Sequence, residues 1–152
     1  RVGMAVGQND HQALVRASWS ALVVATGCAL IGSVVYALFP EWCANLFLDP
    51  SKPDAVRVLA FAAQLVVIAG LFQLVDGLQV IATGLLRGIK DTRVPMFIAF
   101  ISYWGIGFVL AYVLAFRAGM GGIGVWIGFL CGLGAAAVLL LWRYVLIVGR
   151  MR

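Results

Sequence analysis

Four long stretches of the chain carry almost no charge, and the polar residues gather between them. They are residues 17–39, 58–86, 94–116 and 123–142. A bilayer core of about 30 Å needs roughly 20 helical residues at 1.5 Å each, so every stretch is long enough to cross. Helices are the expected form, because an open strand edge in lipid leaves backbone N–H and C=O groups unpaired. Basic residues frame the stretches: Arg16, then Arg57 and Arg87, then Arg93 and Arg117, then Arg143. Long basic side chains in such places reach back to the headgroups. The pattern predicts an all-α integral membrane protein with four transmembrane helices.

The connections are short. Residues 1–16 lack a long apolar run and are expected to form a cytoplasmic segment ahead of a four-helix unit at 17–152. Because the chain opens at Arg1 rather than Met, it reads as the C-terminal piece of something longer. The turn between Arg87 and Arg93 offers Asp91 or Thr92 as an N-cap, with Pro95 in the first turn of the next helix. Residues 40–57 hold three of the four prolines. Within them, WCANLFL suits a short interfacial helix that dips Trp42, Leu46 and Phe47 into lipid, and Asp54 suits the cap of the second span.

Composition narrows the class. Hydrophobic residues make up 64% and charged residues 11%, against about 25% charged in a soluble domain. A water-soluble enzyme and a disordered tail are both excluded. The net charge of +5 comes from basic residues scattered singly, with no stripe of the kind that binds nucleic acid. Their distribution sets an orientation instead. One side collects eight (Arg1, Arg16, Arg87, Lys90, Arg93, Arg143, Arg150, Arg152) and the other three (Lys52, Arg57, Arg117), while Glu41, Asp49 and Asp54 fall with the three. The positive-inside rule puts the eight, and both ends of the chain, in the cytoplasm. Cys28 and Cys131 sit in apolar runs and Cys43 in the outer connection, where an external thiol reagent is expected to reach it. No Cys/His spacing for a metal, no nucleophile–base pair and no phosphate-cradling loop is present, so neither a cofactor nor enzyme chemistry is expected.

One charge lies inside the predicted spans: Asp76, in FQLVDGLQ. It is 11 residues before Arg87, about 17 Å along a helix and so near the middle of the core. A carboxylate there costs about 2.5–3.5 kcal/mol, so it should face a protein interior or a wet cavity. Gln73 and Thr83 recur on the same face, with Gln79 beside it. Such a group can exchange a proton or hold a small cation with nearby amide oxygens; otherwise it is a hydrogen bond tying helices together. Gly70, Gly77 and Gly84 repeat every seven residues on the same span, as close packing or a bend near Gly77 would require. Gly124, Gly128 and Gly132 make a small-xxx-small run in the last span, a helix-packing pattern. Tyr103, Trp104, Tyr112 and Trp126 lie deep enough to line a pocket for an aromatic cation, or simply to meet lipid.

The stretch LFQLVDGLQVIATGLLRGIKDTRVPMF, residues 71–97, resembles the C-terminal half of multidrug and toxic compound extrusion (MATE) transporters of the NorM type. RVGMAVGQND resembles the family's segment before its ninth helix, and GGIGVWIG the start of its twelfth. The resemblance implies that the four spans are the last four of a twelve-helix, two-lobe transporter in a bacterial inner membrane. It implies export of organic cation drugs in exchange for sodium or protons. Asp76 then matches the cation-coupling acid of the tenth helix, with Phe72, Gln73, Gln79 and Thr83 lining the cavity beside it. A family tyrosine one turn earlier is Phe72 here, which removes one hydroxyl ligand and leaves sodium and proton both open. The partners implied are the N-terminal lobe, helices seven and eight, and membrane lipid. The rival readings are a lipid-linked-sugar flippase of the same superfamily and a small helical scaffold subunit of a membrane complex.

Overall fold

Asp10 sets the start of the first long helix. Its carboxylate accepts a hydrogen bond from the Ala13 N–H at 2.9 Å, one of the orphan donors of a helix start. The structure is a computed structural model that describes residues 2–8, 10–47 and 55–150. A short helix α1 (Val2–Gly7) precedes the long α2 (His11–Leu38), and α3 (Pro40–Asn45) follows after Phe39, with its proline in the first turn. The helix α4 (Ala55–Gly88) is the longest. The third span runs over Arg93–Arg117. It comprises α5 (Arg93–Phe100), a π-helical stretch Ile101–Phe108, α6 (Val109–Tyr112) and a second π-helical stretch Val113–Arg117. The last helix is α7 (Gly121–Arg150). Among the described residues, four helices are long and apolar enough to cross a membrane. The protein is an all-α membrane unit.

The helices outrun the predicted spans at their polar ends. Residues 11–16, expected to lie in a segment outside the first helix, are its opening turns, because the Asp10 cap precedes Arg16. The last helix likewise runs past Trp142 to Arg150, for nothing in YVLIV stops a helix. Asp49, Lys52 and the proposed Asp54 cap lie outside the described residues, as do Arg1 and Arg152. Thr92 stands at the N-cap of α5 without a side-chain cap bond, whereas Asp91 pairs with Arg143 Nε at 2.6 Å and ties the turn to α7. Lys90, at φ 63°, turns the chain so that the Asp91 N–H reaches the Leu86 carbonyl at 2.9 Å.

The spans pack side by side. The central α4 lies between α2 and α7, and the third span covers the far side of α7. The core sits at the basic end, where α1 folds under α2 and α4: Ala5, Leu14, Leu85, Leu86, Ile89, Leu140 and Tyr144 are buried together. The glycines of α7 explain its closeness to the third span. Gly124 lies against the backbone of Leu114 and Ala115, Gly128 against Ala111, and Gly132 against Gly107. On α4, Gly70 and Gly77 face α2, meeting Ser33 and Tyr36 in one case and Ala29 in the other. The helix continues unbroken through Gly77, and Gly84 is exposed, with nothing within 4 Å of a Cβ placed there. The short helix α3 forms where the sequence predicts one. It exposes Trp42, and Leu46 and Phe47 just beyond it. Cys43 points the other way and is 8% exposed, so the expectation of an accessible thiol is corrected: this face of α3 packs on α4.

Candidate functional site

The polar residues of α4 divide between two neighbours. At about 100° per residue, Phe72, Asp76, Gln79 and Thr83 fall within about 60° of one another, and Gln73 lies to one side. Gln73 turns toward α2, where a Cβ on Gly32 would run into its amide. Phe72 turns toward α7 and meets Trp126 edge-on, with centroids 5.7 Å apart at 78°. Gln79 is buried and Asp76 half-buried. Thr83 donates its hydroxyl to the Gln79 backbone carbonyl at 2.9 Å, one turn back along the helix. Among the described residues Asp76 makes no ion pair.

Beside this strip lies a groove of about 530 Å³ lined by Phe72, Tyr103, Trp104, Gly107, Phe108, Phe129 and Leu133. Tyr103 joins the groove to the strip. It lines the groove and stands beside the Gln79 side chain and Asp76. Trp104 stacks between Phe100 and Phe108 along the same helix, at 6.4 and 5.8 Å. The arrangement therefore couples one carboxylate and one carboxamide to an aromatic surface. Aromatic faces attract cations through their quadrupole, and a carboxylate attracts them through its charge. No group of three His, Cys, Asp or Glu residues that could hold a metal occurs among the described residues.

Sequence reasoning named Asp76, Phe72, Gln73, Gln79 and Thr83 together, and the structure gathers four of them while turning Gln73 to a different helix. It named Tyr103 and Trp104 only as deep aromatics. Their partnership with α4 depends on the antiparallel register of the third span on α7, which no local pattern in LFQLVDGLQ or ISYWGIGF reveals.

The comparisons with known proteins agree in one direction. The chain is similar to the probable multidrug resistance protein NorM of Agrobacterium fabrum, 55% identical over 150 residues that make up 99% of this chain and 32% of that protein. To the protein of the same name from Rhizobium meliloti it is 52% identical over 151 residues, again 99% of the chain and 32% of the relative. The multidrug resistance protein NorM of Burkholderia vietnamiensis is 41% identical over 95% of the chain and 31% of its own length. The chain thus spans about a third of the length of the curated relatives it matches. The model of the family described as MatE matches residues 1–113, from α1 to the start of the second π-helical stretch. With that match over most of its length, the chain belongs to the MatE family.

Proposed function

We propose that this chain acts as the last four helices of a secondary active multidrug efflux antiporter, exporting organic cations in exchange for sodium or protons. It works in a bacterial inner membrane, with both ends of the chain on the cytoplasmic face, and its chemistry is transport rather than catalysis. Asp76 is the coupling site. The observation that carries the reading is the single mid-span carboxylate standing beside Gln79, Tyr103 and the aromatic groove. The names of the relatives, multidrug resistance protein NorM, support the substrate class. An organic cation on the aromatic wall and a proton or sodium ion on Asp76 would compete electrostatically, which is what exchange requires. Beside the exported cation, the reading calls for a coupling ion, sodium or proton, and for no cofactor.

The test is Asp76→Asn in the full-length protein that carries this chain. The amide keeps the size, polarity and an acceptor, and removes only the charge and the titration. Membrane abundance is expected to hold while ethidium efflux driven by an imposed sodium or proton gradient falls to the transporter-free background. Asp76→Glu should retain part of the activity, since it still ionises one methylene out of place. Near wild-type gradient-driven efflux by the Asn variant would leave Asp76 as a helix tie and overturn the coupling role.

A further inference from the structure

A second groove, remote from Asp76, has a different chemistry. It lies where the start of α2 meets the end of α7, encloses about 530 Å³, and is walled by Val15, Trp19, Leu22, Leu141, Val145 and Val148. Its floor holds polar groups that are already satisfied. The Tyr144 hydroxyl bonds Ser18 Oγ, Ser18 Oγ donates to the Leu14 carbonyl at 2.8 Å, and His11 Nε2 donates to the Val148 carbonyl at 3.3 Å. A surface of this kind accepts a hydrocarbon chain without stranding a polar group. Trp19 and Val145, each 65% exposed, form its outer lip.

The groove does not end at its apolar wall. Through His11 and Val15 it continues into a smaller depression lined by His11, Gln12, Val15 and Arg16. Among the described residues the Arg16 guanidinium uses only its Nε–H, on the Gln12 carbonyl at 3.4 Å. Arg150 ends α7 on the same side of the bundle. Asp10 is the neighbouring acid, and its carboxylate is engaged by the Ala13 N–H at the helix cap. The mouth is therefore positive while the body is apolar. An organic cation is repelled by such a mouth, and a lone phosphate has no use for the apolar body. One class of molecule matches both parts.

We propose that this groove binds one anionic phospholipid from the leaflet on the basic side of the bundle. Its acyl chain lies against Trp19, Leu22, Leu141 and Val145, and its phosphate is held at the Arg16 guanidinium in the adjoining depression. The site would seat the lipid across α2 and α7, two helices that α4 otherwise holds apart. It goes beyond transport and does not depend on the role of Asp76.

Proteoliposomes of the full-length protein carrying this chain provide the test. They are doped with phosphatidylglycerol bearing a diazirine in its acyl chain or, in parallel, with the matching phosphatidylcholine at the same mole fraction. After illumination, adducts are mapped by mass spectrometry. Adducts are expected on residues 11–22 and 141–149. Phosphatidylglycerol should exceed phosphatidylcholine there about fivefold, the ratio that roughly 1 kcal/mol per basic side chain near the surface gives. Arg16→Gln, a change at an exposed position, should bring the two lipids level. Val145→Trp should fill the groove and abolish both sets of adducts there while labelling elsewhere persists. Equal labelling by the two lipids in the unmodified protein would overturn the proposal. So would a preference that survives Arg16→Gln, or an absence of adducts because other helices of the longer protein cover the groove.

Discussion

Ser18 and Tyr144 bind each other across the α2–α7 boundary, and the direction of each hydrogen bond decides what its loss costs. Ser18 Oγ gives its proton to the Leu14 carbonyl, so the Tyr144 hydroxyl is the donor between the two side chains. Both residues are buried, at 3% and 7% exposure. Tyr144→Phe removes a donor and leaves Ser18 still bonded to its own helix, a loss of about 0.5–1.5 kcal/mol. Ser18→Ala instead strands a buried phenolic hydroxyl, which costs about 1–3 kcal/mol. The serine variant should therefore melt at the lower temperature in detergent, although each substitution deletes one hydroxyl. The reverse order would mean that the tyrosine hydroxyl finds another partner. The same attention to direction applies at Asp76, where Asn substitutes for a hydrogen-bonding acid but not for a titrating one.

At the scale of elements, the contact between α7 and the third span rests on register. Gly107, Ala111 and Ala115 repeat every four residues and meet Gly132, Gly128 and Gly124, which repeat every four in the opposite direction. A regular α-helix has 3.6 residues per turn and drifts off a four-residue repeat. The two π-helical stretches, with their wider i→i+5 turns, widen the third span to roughly four residues per turn and hold its small residues in line. A side chain on α7 has nowhere to go along this seam, since a Cβ at Gly128 would fall on the backbone N and Cα of Ala111. Gly128→Val is expected to abolish folded, membrane-inserted protein, measured as the monodisperse peak of a fluorescent fusion. Gly84→Ala, with nothing within 4 Å of its Cβ, should leave that peak unchanged or raise it by the helix propensity of alanine, about 1 kcal/mol. The pairing of these two glycines shows what the sequence could and could not say. The small-xxx-small run of α7 announces a close neighbour because four-residue spacing has few other uses. The seven-residue spacing of Gly70, Gly77 and Gly84 looks equally regular, yet only the first two reach α2. Span number, order and the mid-span acid were legible because lipid forbids charge and open backbone. The π-helical turns and the Tyr103–Gln79 contact were not, because both follow from tertiary register rather than local preference.

For the whole molecule, the decisive quantity is which face meets which solution. The antiparallel order of the spans puts the start of α2, the end of α4, the start of the third span and the end of α7 on one side. Arg16, Arg87, Lys90, Arg93, Arg143 and Arg150 gather there, while Arg57 and Arg117 lie at the other ends. The proposed cytoplasmic placement of the crowded side rests on this bias, through the positive-inside rule. The natural cysteine is a poor reporter of this, because Cys43 is buried against α4 and should stay unlabelled until the protein is unfolded. Its neighbour Glu41 is exposed on α3, and Lys90 is exposed in the turn after α4. With the three natural cysteines replaced by alanine, Glu41→Cys should react with a membrane-impermeant maleimide added to intact cells. Lys90→Cys should react only after the membrane is opened. Replacing Lys90 removes one of the basic residues that set the bias, but five described ones remain on its side against two, so the substitution does not itself predict inversion. If Lys90→Cys were labelled in intact cells and Glu41→Cys protected, the orientation would be inverted. The proposed lipid groove at the start of α2 would then face the outer leaflet.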